Sequence, residues 1–283
     1  MSKASRLVPV LAALAIVAAG CIAPAGGGGT SAPTSGLVVR IAYANGFVPV
    51  MFQHLALPII SIYGDGRVIA QGAQIESYPG PLLPAVVEYQ LPDGAIERIL
   101  ADAEDAGLTD EDVHYPATMV ADAPDTVITV RTDGRTVVSS FNALGADEGA
   151  TPDEKAERLK ALEFVETVGV ADMSYGPAVG GTAGFEPDAI RLFVQDGAPL
   201  NEDPALTQQP AAWPLATPLA SFGENVEDYG ITPVRCAVVS GDDLSTLWPA
   251  LRSANQLTPW QSEGEAYTLY VRPLLPDEPA TCD

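Results

Sequence analysis

Three cysteines and two histidines are the scarcest reactive side chains in this 283-residue chain, and their positions bound its chemistry. Cys21 directly follows Ala18-Ala19-Gly20, at the end of an apolar run from Leu7 to Ala19 that opens behind Lys3 and Arg6. A basic start, a short apolar stretch and small residues before a thiol make an export signal with an attachment point. Cys236 and Cys282 are the thiols left over, and in an exported protein they have one intramolecular pairing, so a disulfide is expected. Imidazole chemistry rests on His54 and His114 alone, and no nucleophile elbow, zinc-protease helix, phosphate loop or dinucleotide fingerprint occurs. Asp110-Glu111-Asp112-Val113-His114 is the densest polar cluster. Its spacing fits no calcium loop, and its place just past an expected helix end reads as a solvated loop. General acid-base catalysis needs an imidazole tuned near neutrality or a carboxylate pair held apart in pKa. The sequence displays neither, so it assigns no catalytic residue, metal ligand or cofactor. Trp213 and Trp260, in Pro-interrupted sequence, remain as binding candidates: exposed rings there would take peptide or sugar, whereas packed rings would belong to a core.

The run from Leu7 to Ala19 holds 13 residues and contains Pro9, well short of the ~20 needed to span a bilayer. Ala18 to Cys21 resembles the lipobox of bacterial lipoproteins. That resemblance implies a diacylglycerol on the Cys21 thiol and cleavage just before it, with residues 1–20 removed as a signal peptide. It places the mature protein at the cell membrane on the extracytoplasmic side, with the lipid bilayer as partner. Two acyl chains hold a soluble domain to a membrane where one binds only marginally.

Loss of Lys3 and Arg6 reduces the 14 basic residues to 12 against 37 acidic ones, a formal net charge of −25. Lys155 and Lys160 are then the only lysines. Such a surface repels nucleic acid and anionic headgroups, which excludes nucleic-acid binding. The acidic residues are scattered, as solubility requires, and not gathered into blocks.

Residues 21–36 combine the anchor cysteine with a Gly/Ser/Pro tether, and the fold is expected to begin near Leu37. Leu37 to Ala44 and Val86 to Leu91 read as strands, and Ile59 to Tyr63 with Arg67 to Ala70 flank a Gly64-Asp65-Gly66 hairpin turn. Asp93 is placed to cap a helix striped by Ile96, Ile99, Leu100 and Ala103, with Gly107 as its αL stop. A second hairpin turns at Asp133-Gly134, and Thr151-Pro152-Asp153-Glu154 is a capping box opening a helix to Gly169. Hairpin, strand, helix, hairpin and helix, with Tyr63-Gly64-Asp65-Gly66 in the first turn and Asp122-Ala123-Pro124 before the second hairpin, resemble a family of small extracytoplasmic domains of unknown function found in bacterial lipoproteins. The resemblance spans some 110 residues and implies a fold without an activity.

Residues 37–174 are thus an N-terminal lobe, Tyr175 to Pro187 a linker, and 186–283 a C-terminal lobe. In the second lobe Ile190 to Val194 and Val234 to Val239 read as strands. Asp242 or Asp243 opens a helix that Pro249 should kink or split, and Asn255 stands at its αL end. Both lobes carry an apolar-striped helix followed by Leu-Thr and a strand ending Val-Arg, which raises an internal duplication of a strand-helix-strand unit. The predicted class is α+β, with two lobes of mainly antiparallel sheet and packed helices. The functions compatible with it are a non-catalytic binding or structural role at the envelope, a hydrolase with a scattered active site, or an acidic inhibitor or immunity-type protein.

Overall fold

Local turn chemistry sets the first sheet. The structure, a computed structural model, describes residues 32–116, 120–146, 148–226 and 233–282. The signal segment and Cys21 lie outside the described residues. The elements of the first half are β1 (Leu37–Ala44), α1 (Val50–Leu55), β2 (Ile60–Tyr63), β3 (Arg67–Gln71), β4 (Val86–Gln90), α2 (Ala95–Asp105), β5 (Val113–Tyr115), β6 (Asp125–Thr132), β7 (Arg135–Asn142), α3 (Pro152–Gly169), α4 (Ala171–Ser174) and β8 (Val179–Gly184). Their strands form one eight-stranded sheet in the order β5-β7-β6-β1-β2-β3-β4-β8, antiparallel except at the β5/β7 edge.

The first hairpin closes with Gly66 at φ +84° and its N–H on the Tyr63 carbonyl. A side chain at Gly64 would overlap the Pro33 carbonyl, because residues 33–36 cross directly over this turn and the Gly36 carbonyl accepts the Gly64 N–H. Ala32 also packs on the core. Residues 32–36, ahead of the expected Leu37, are therefore part of the fold, and so is the end of the tether.

α2 ends in a Schellman cap: the Gly107 N–H reaches the Glu104 carbonyl, the Leu108 N–H reaches the Ala103 carbonyl, and Leu108 is buried. Its start differs from expectation. Gly94 in the αL region, not Asp93, occupies the N-cap, and no side chain caps the helix. α3 opens with the complete Thr151/Glu154 capping box, each side chain bonding the other's backbone N–H. On its inner face buried Arg158 donates to the carbonyls of Asn142, Ala143 and Ala146, tying the helix to the end of β7. The first core lies where α2 and α3 cover this sheet, around Ile41, Ile62, Ile99, Leu100, Ile128 and Phe164.

β8 corrects the expected linker. Residues Tyr175 to Pro187 stay with the first lobe: Tyr175 is core, and β8 pairs with β4 as an edge strand.

The second sheet comprises β9 (Ala189–Asp196), β10 (Ala211–Ala212), β11 (Glu224–Val226), β12 (Val234–Ser240), β13 (Trp260–Ser262) and β14 (Glu265–Pro273). It is ordered β10-β13-β14-β9-β12-β11, and α5 (Gly241–Ser253) covers one face. α5 runs as one helix through Pro249, so of the expected kink or split the split does not occur. Pro249 and Ser245 both face solvent, so the carbonyl freed by the missing N–H is open to water. Asp242 and Asp243 fall in its first turn, behind Ser240 as N-cap. Asn255 is not in the αL region; its side-chain oxygen accepts the Leu257 N–H and its amide donates to Gln208. The two strand-helix-strand units differ in reach, since α2 leads from β4 past three intervening strands to β6, whereas α5 leads from β12 past β9 alone to β14.

The C-terminal tail joins the lobes. Leu275 packs on the outer face of the first sheet with Leu37, Tyr63, Ile69 and Phe185. Asp277 accepts from Arg40 at 2.6 Å and from the Tyr63 hydroxyl at 2.9 Å. Glu278 turns back to make a two-pronged pair with Arg272 of β14 and accepts the Leu275 N–H. Burial raises the Glu278 pKa, but the Arg272 and Leu275 hydrogen bonds outweigh it and hold the carboxyl below its ordinary value. Cys282 then closes onto Cys236 of β12 in the expected disulfide.

Candidate functional site

α1 belongs to the first lobe by sequence yet docks on the second sheet. Met51 and Leu55 pack against the cluster of Phe193, Val234 and Cys236, and the Ala56 carbonyl accepts from Arg272 at 3.0 Å. Beside this contact lies a cleft of 330 Å³ whose walls come from distant segments: Phe52 and Leu55 of α1, the Tyr78 to Leu82 loop, Ala198 to Leu200, Gln256 and Leu257, and β14. The floor belongs to the second core, where Leu269 and Val271 are 2% and 4% exposed. The rim is the opposite. Phe52, Tyr78 and Leu200 are 59%, 65% and 94% exposed, apolar side chains held in water around an apolar cavity.

The polar side chains in the lining, Gln195, Gln256, Thr268 and Tyr270, are uncharged, and two of them donate within the protein. The Thr268 hydroxyl donates to the Gly197 carbonyl at 2.9 Å, and the Tyr270 hydroxyl donates to Gln195 at 3.2 Å. Burial raises the Tyr270 pKa, so its phenol stays protonated at neutral pH. Among the described residues no Asp, Glu, His, Lys or Arg lines the cleft. The arrangement binds apolar surface and offers no acid-base pair.

A wider groove of 840 Å³ runs on the other side of the Pro81 to Glu88 segment, lined by Phe185, Glu186, Trp248 and Arg252. Its charges are paired, Arg67 with Glu88 at 2.6 Å and Arg252 with Glu186 at 3.3 Å. The smaller cleft is the better candidate because its rim leaves apolar surface uncovered.

The two binding candidates from the sequence are elsewhere. Trp260 is fully buried in the second core, and Trp213 is half-buried edge-on against it at 6.2 Å, its indole N–H on the Thr217 carbonyl. Trp260 is thus a core residue and Trp213 packs against that core, and neither lines the cleft. His54 lies on α1 with its ring 6.3 Å from Phe193, and burial, then the Arg191 charge, lower its pKa, so it is neutral at pH 7. His114 sits in β5 on the far edge of the first sheet, and neighbouring Asp112 accepts the Val138 N–H. Among the described residues no three His, Cys, Asp or Glu side chains gather to hold a metal, and no helix is long and apolar enough to cross a membrane.

Fold and cleft together define the chain as a two-sheet α+β protein with an apolar cleft where its lobes meet. No family model, curated protein or solved structure matches it.

Proposed function

We propose that this is a lipid-anchored extracytoplasmic binding protein without catalytic activity, which takes up an apolar ligand in the cleft between its lobes. The observation that carries the reading is the uncharged cleft beside β14 with Phe52, Tyr78 and Leu200 exposed on its rim. A hydrolase would need an imidazole or a carboxylate pair at the cavity, and this lining has neither. An inhibitor-type role against a basic partner is a second reading of the same surface, favoured by exposed Glu76, Glu202 and Asp203, each within three residues of a rim side chain in sequence.

The binding reading is tested with Nile red, a neutral apolar dye, on the purified protein. Fluorescence should rise and shift blue on addition of wild type, and Leu200→Asp should weaken dye binding several-fold with circular dichroism unchanged. Equal dye binding by the variant, or none by wild type, defeats the site.

The anchor has its own expected result. Intact-mass spectrometry of the native protein should give a chain starting at Cys21 with added acyl mass. Cys21→Ala should leave uncleaved precursor or release protein from the membrane fraction. A different mature N-terminus without lipid excludes the anchor.

A further inference from the structure

The wide groove of 840 Å³ sets two pairs of opposite charges beside an apolar wall. β4 and the end of β8 form one side of it, and α5 forms the other. Glu88 of β4 accepts two hydrogen bonds from Arg67 of β3, at 2.6 and 3.1 Å, and both side chains are 32% exposed. Glu186, just past β8, meets Arg252 of α5 at 3.3 Å, and these side chains are 73% and 62% exposed. All four charged groups are therefore within reach of a ligand. Trp248 precedes Arg252 by four residues, so one turn of α5 puts both on the same face. The Trp248 indole N–H is buried without a hydrogen-bond partner, so the half-buried side chain offers the groove only apolar surface. Leu83 and Pro84, also half-buried, continue that wall.

These charges sum to zero, which selects against ions. Arg67 and Arg252 are each paired with a carboxylate and the chain carries −23, so a phosphate or sulfate group meets no unpaired cation among the groove's described residues. A hydrocarbon ligand would strip water from both pairs and return no hydrogen bonds. The capacity left over suits hydroxyl groups. Each oxygen of the Glu88 carboxylate has a second lone pair beyond its bond to Arg67, and Arg252 spends one of its N–H donors on Glu186. A hydroxyl donates to a glutamate and accepts from an arginine at once, with no change in charge. The C–H faces of a pyranose ring match the apolar surface of Trp248, Leu83 and Pro84. The groove's volume lies within the range of about 300 to 1,000 Å³ found for small-molecule sites.

We propose that this groove is a second ligand site, for a neutral saccharide that lays a ring face on Trp248 and hydrogen-bonds to Glu88, Glu186 and Arg252. It does not depend on the apolar cleft. The probes are cellohexaose, maltohexaose and the N-acetylglucosamine hexamer, titrated calorimetrically into the purified protein. Hexagalacturonate is the anionic control, and a hexapeptide of alternating serine and glycine is the neutral polar one. At least one of the neutral sugars should bind saturably, and both controls should bind roughly tenfold more weakly or not at all. Arg252→Met keeps the stem of an exposed side chain while removing its donors, and should weaken sugar binding about fivefold or more with circular dichroism unchanged. Trp248→Ala should do the same; because Trp248 also packs on the second core, Arg252→Met decides alone if that variant unfolds. Leu200→Asp, on the rim of the smaller cleft, should weaken Nile red binding and leave the sugar bound, so either site can fail by itself. Binding of none of the neutral sugars, equal binding of a control, unaltered affinity in Arg252→Met, or loss of the sugar in Leu200→Asp overturns the saccharide site.

Discussion

Replacing Cys282 with serine lowers the stability of the folded protein by about 2 to 4 kcal/mol in denaturant titration. The bond joins residues 46 apart in sequence, and closing a loop of that length removes roughly 4 kcal/mol of chain entropy from the unfolded state. The native interactions it protects are specific. Between Leu274 and Cys282 the tail supplies Leu275 to the outer face of the first sheet, Asp277 to Arg40 and Tyr63, and Glu278 to Arg272. The Thr281 carbonyl also accepts from Arg191 at 2.7 Å. With the end released, the contacts nearest it fray first, while Leu275, buried against Leu37, Tyr63, Ile69 and Phe185, still holds by packing. Proteolysis should therefore trim the Cys282→Ser protein near its C-terminus before either sheet is cut. A variant of wild-type stability and protease pattern would show that packing alone fixes the tail.

The parts of this fold legible in the sequence are those in which a few neighbouring residues decide the backbone. Gly64-Asp65-Gly66 and Asp133-Gly134 turn hairpins, Thr151 and Glu154 cap α3, and Gly107 stops α2, all through contacts within a handful of residues. Cys236 and Cys282 were legible for another reason: only one partner was available. β8 was missed because Val179-Gly-Gly-Thr-Ala-Gly184 has no apolar alternation; its pairing is dictated by β4, nearly a hundred residues earlier. Asp93 was read as a cap by residue type, yet the chain turns into α2 through Gly94 in the αL region, which a glycine reaches without steric cost. The cleft was hidden more deeply. Phe52, Tyr78, Leu200, Leu257 and Leu269 are apolar residues from five separate segments, and nothing local marks them as one surface.

Trp260→Ala should destabilise the protein by about 3 to 5 kcal/mol, the range for removing a fully buried large aromatic side chain. Trp260 is 0% exposed and sits among Leu192, Leu247, Leu251 and Leu269 of the second core, with Trp213 edge-on to it. Its strand, β13, is bounded by β10 on one side and β14 on the other, so the neighbours cannot collapse into the void without moving sheet backbone. The loss should propagate outward. Trp213 would lose its aromatic neighbour but keep Phe222 at 5.2 Å, and the short β10 pairing at Ala211 and Ala212 depends on β13 alone. Trp260→Phe makes a contrast, because the indole N–H has no hydrogen-bond partner in the core. Phenylalanine removes that unsatisfied donor while keeping most of the ring volume, so its effect should stay below about 2 kcal/mol. Denaturant titration of the two variants against wild type decides between a core tryptophan and a binding one. A core residue gives a large loss for alanine and a small one for phenylalanine. A binding residue gives little change in either and loses ligand in both.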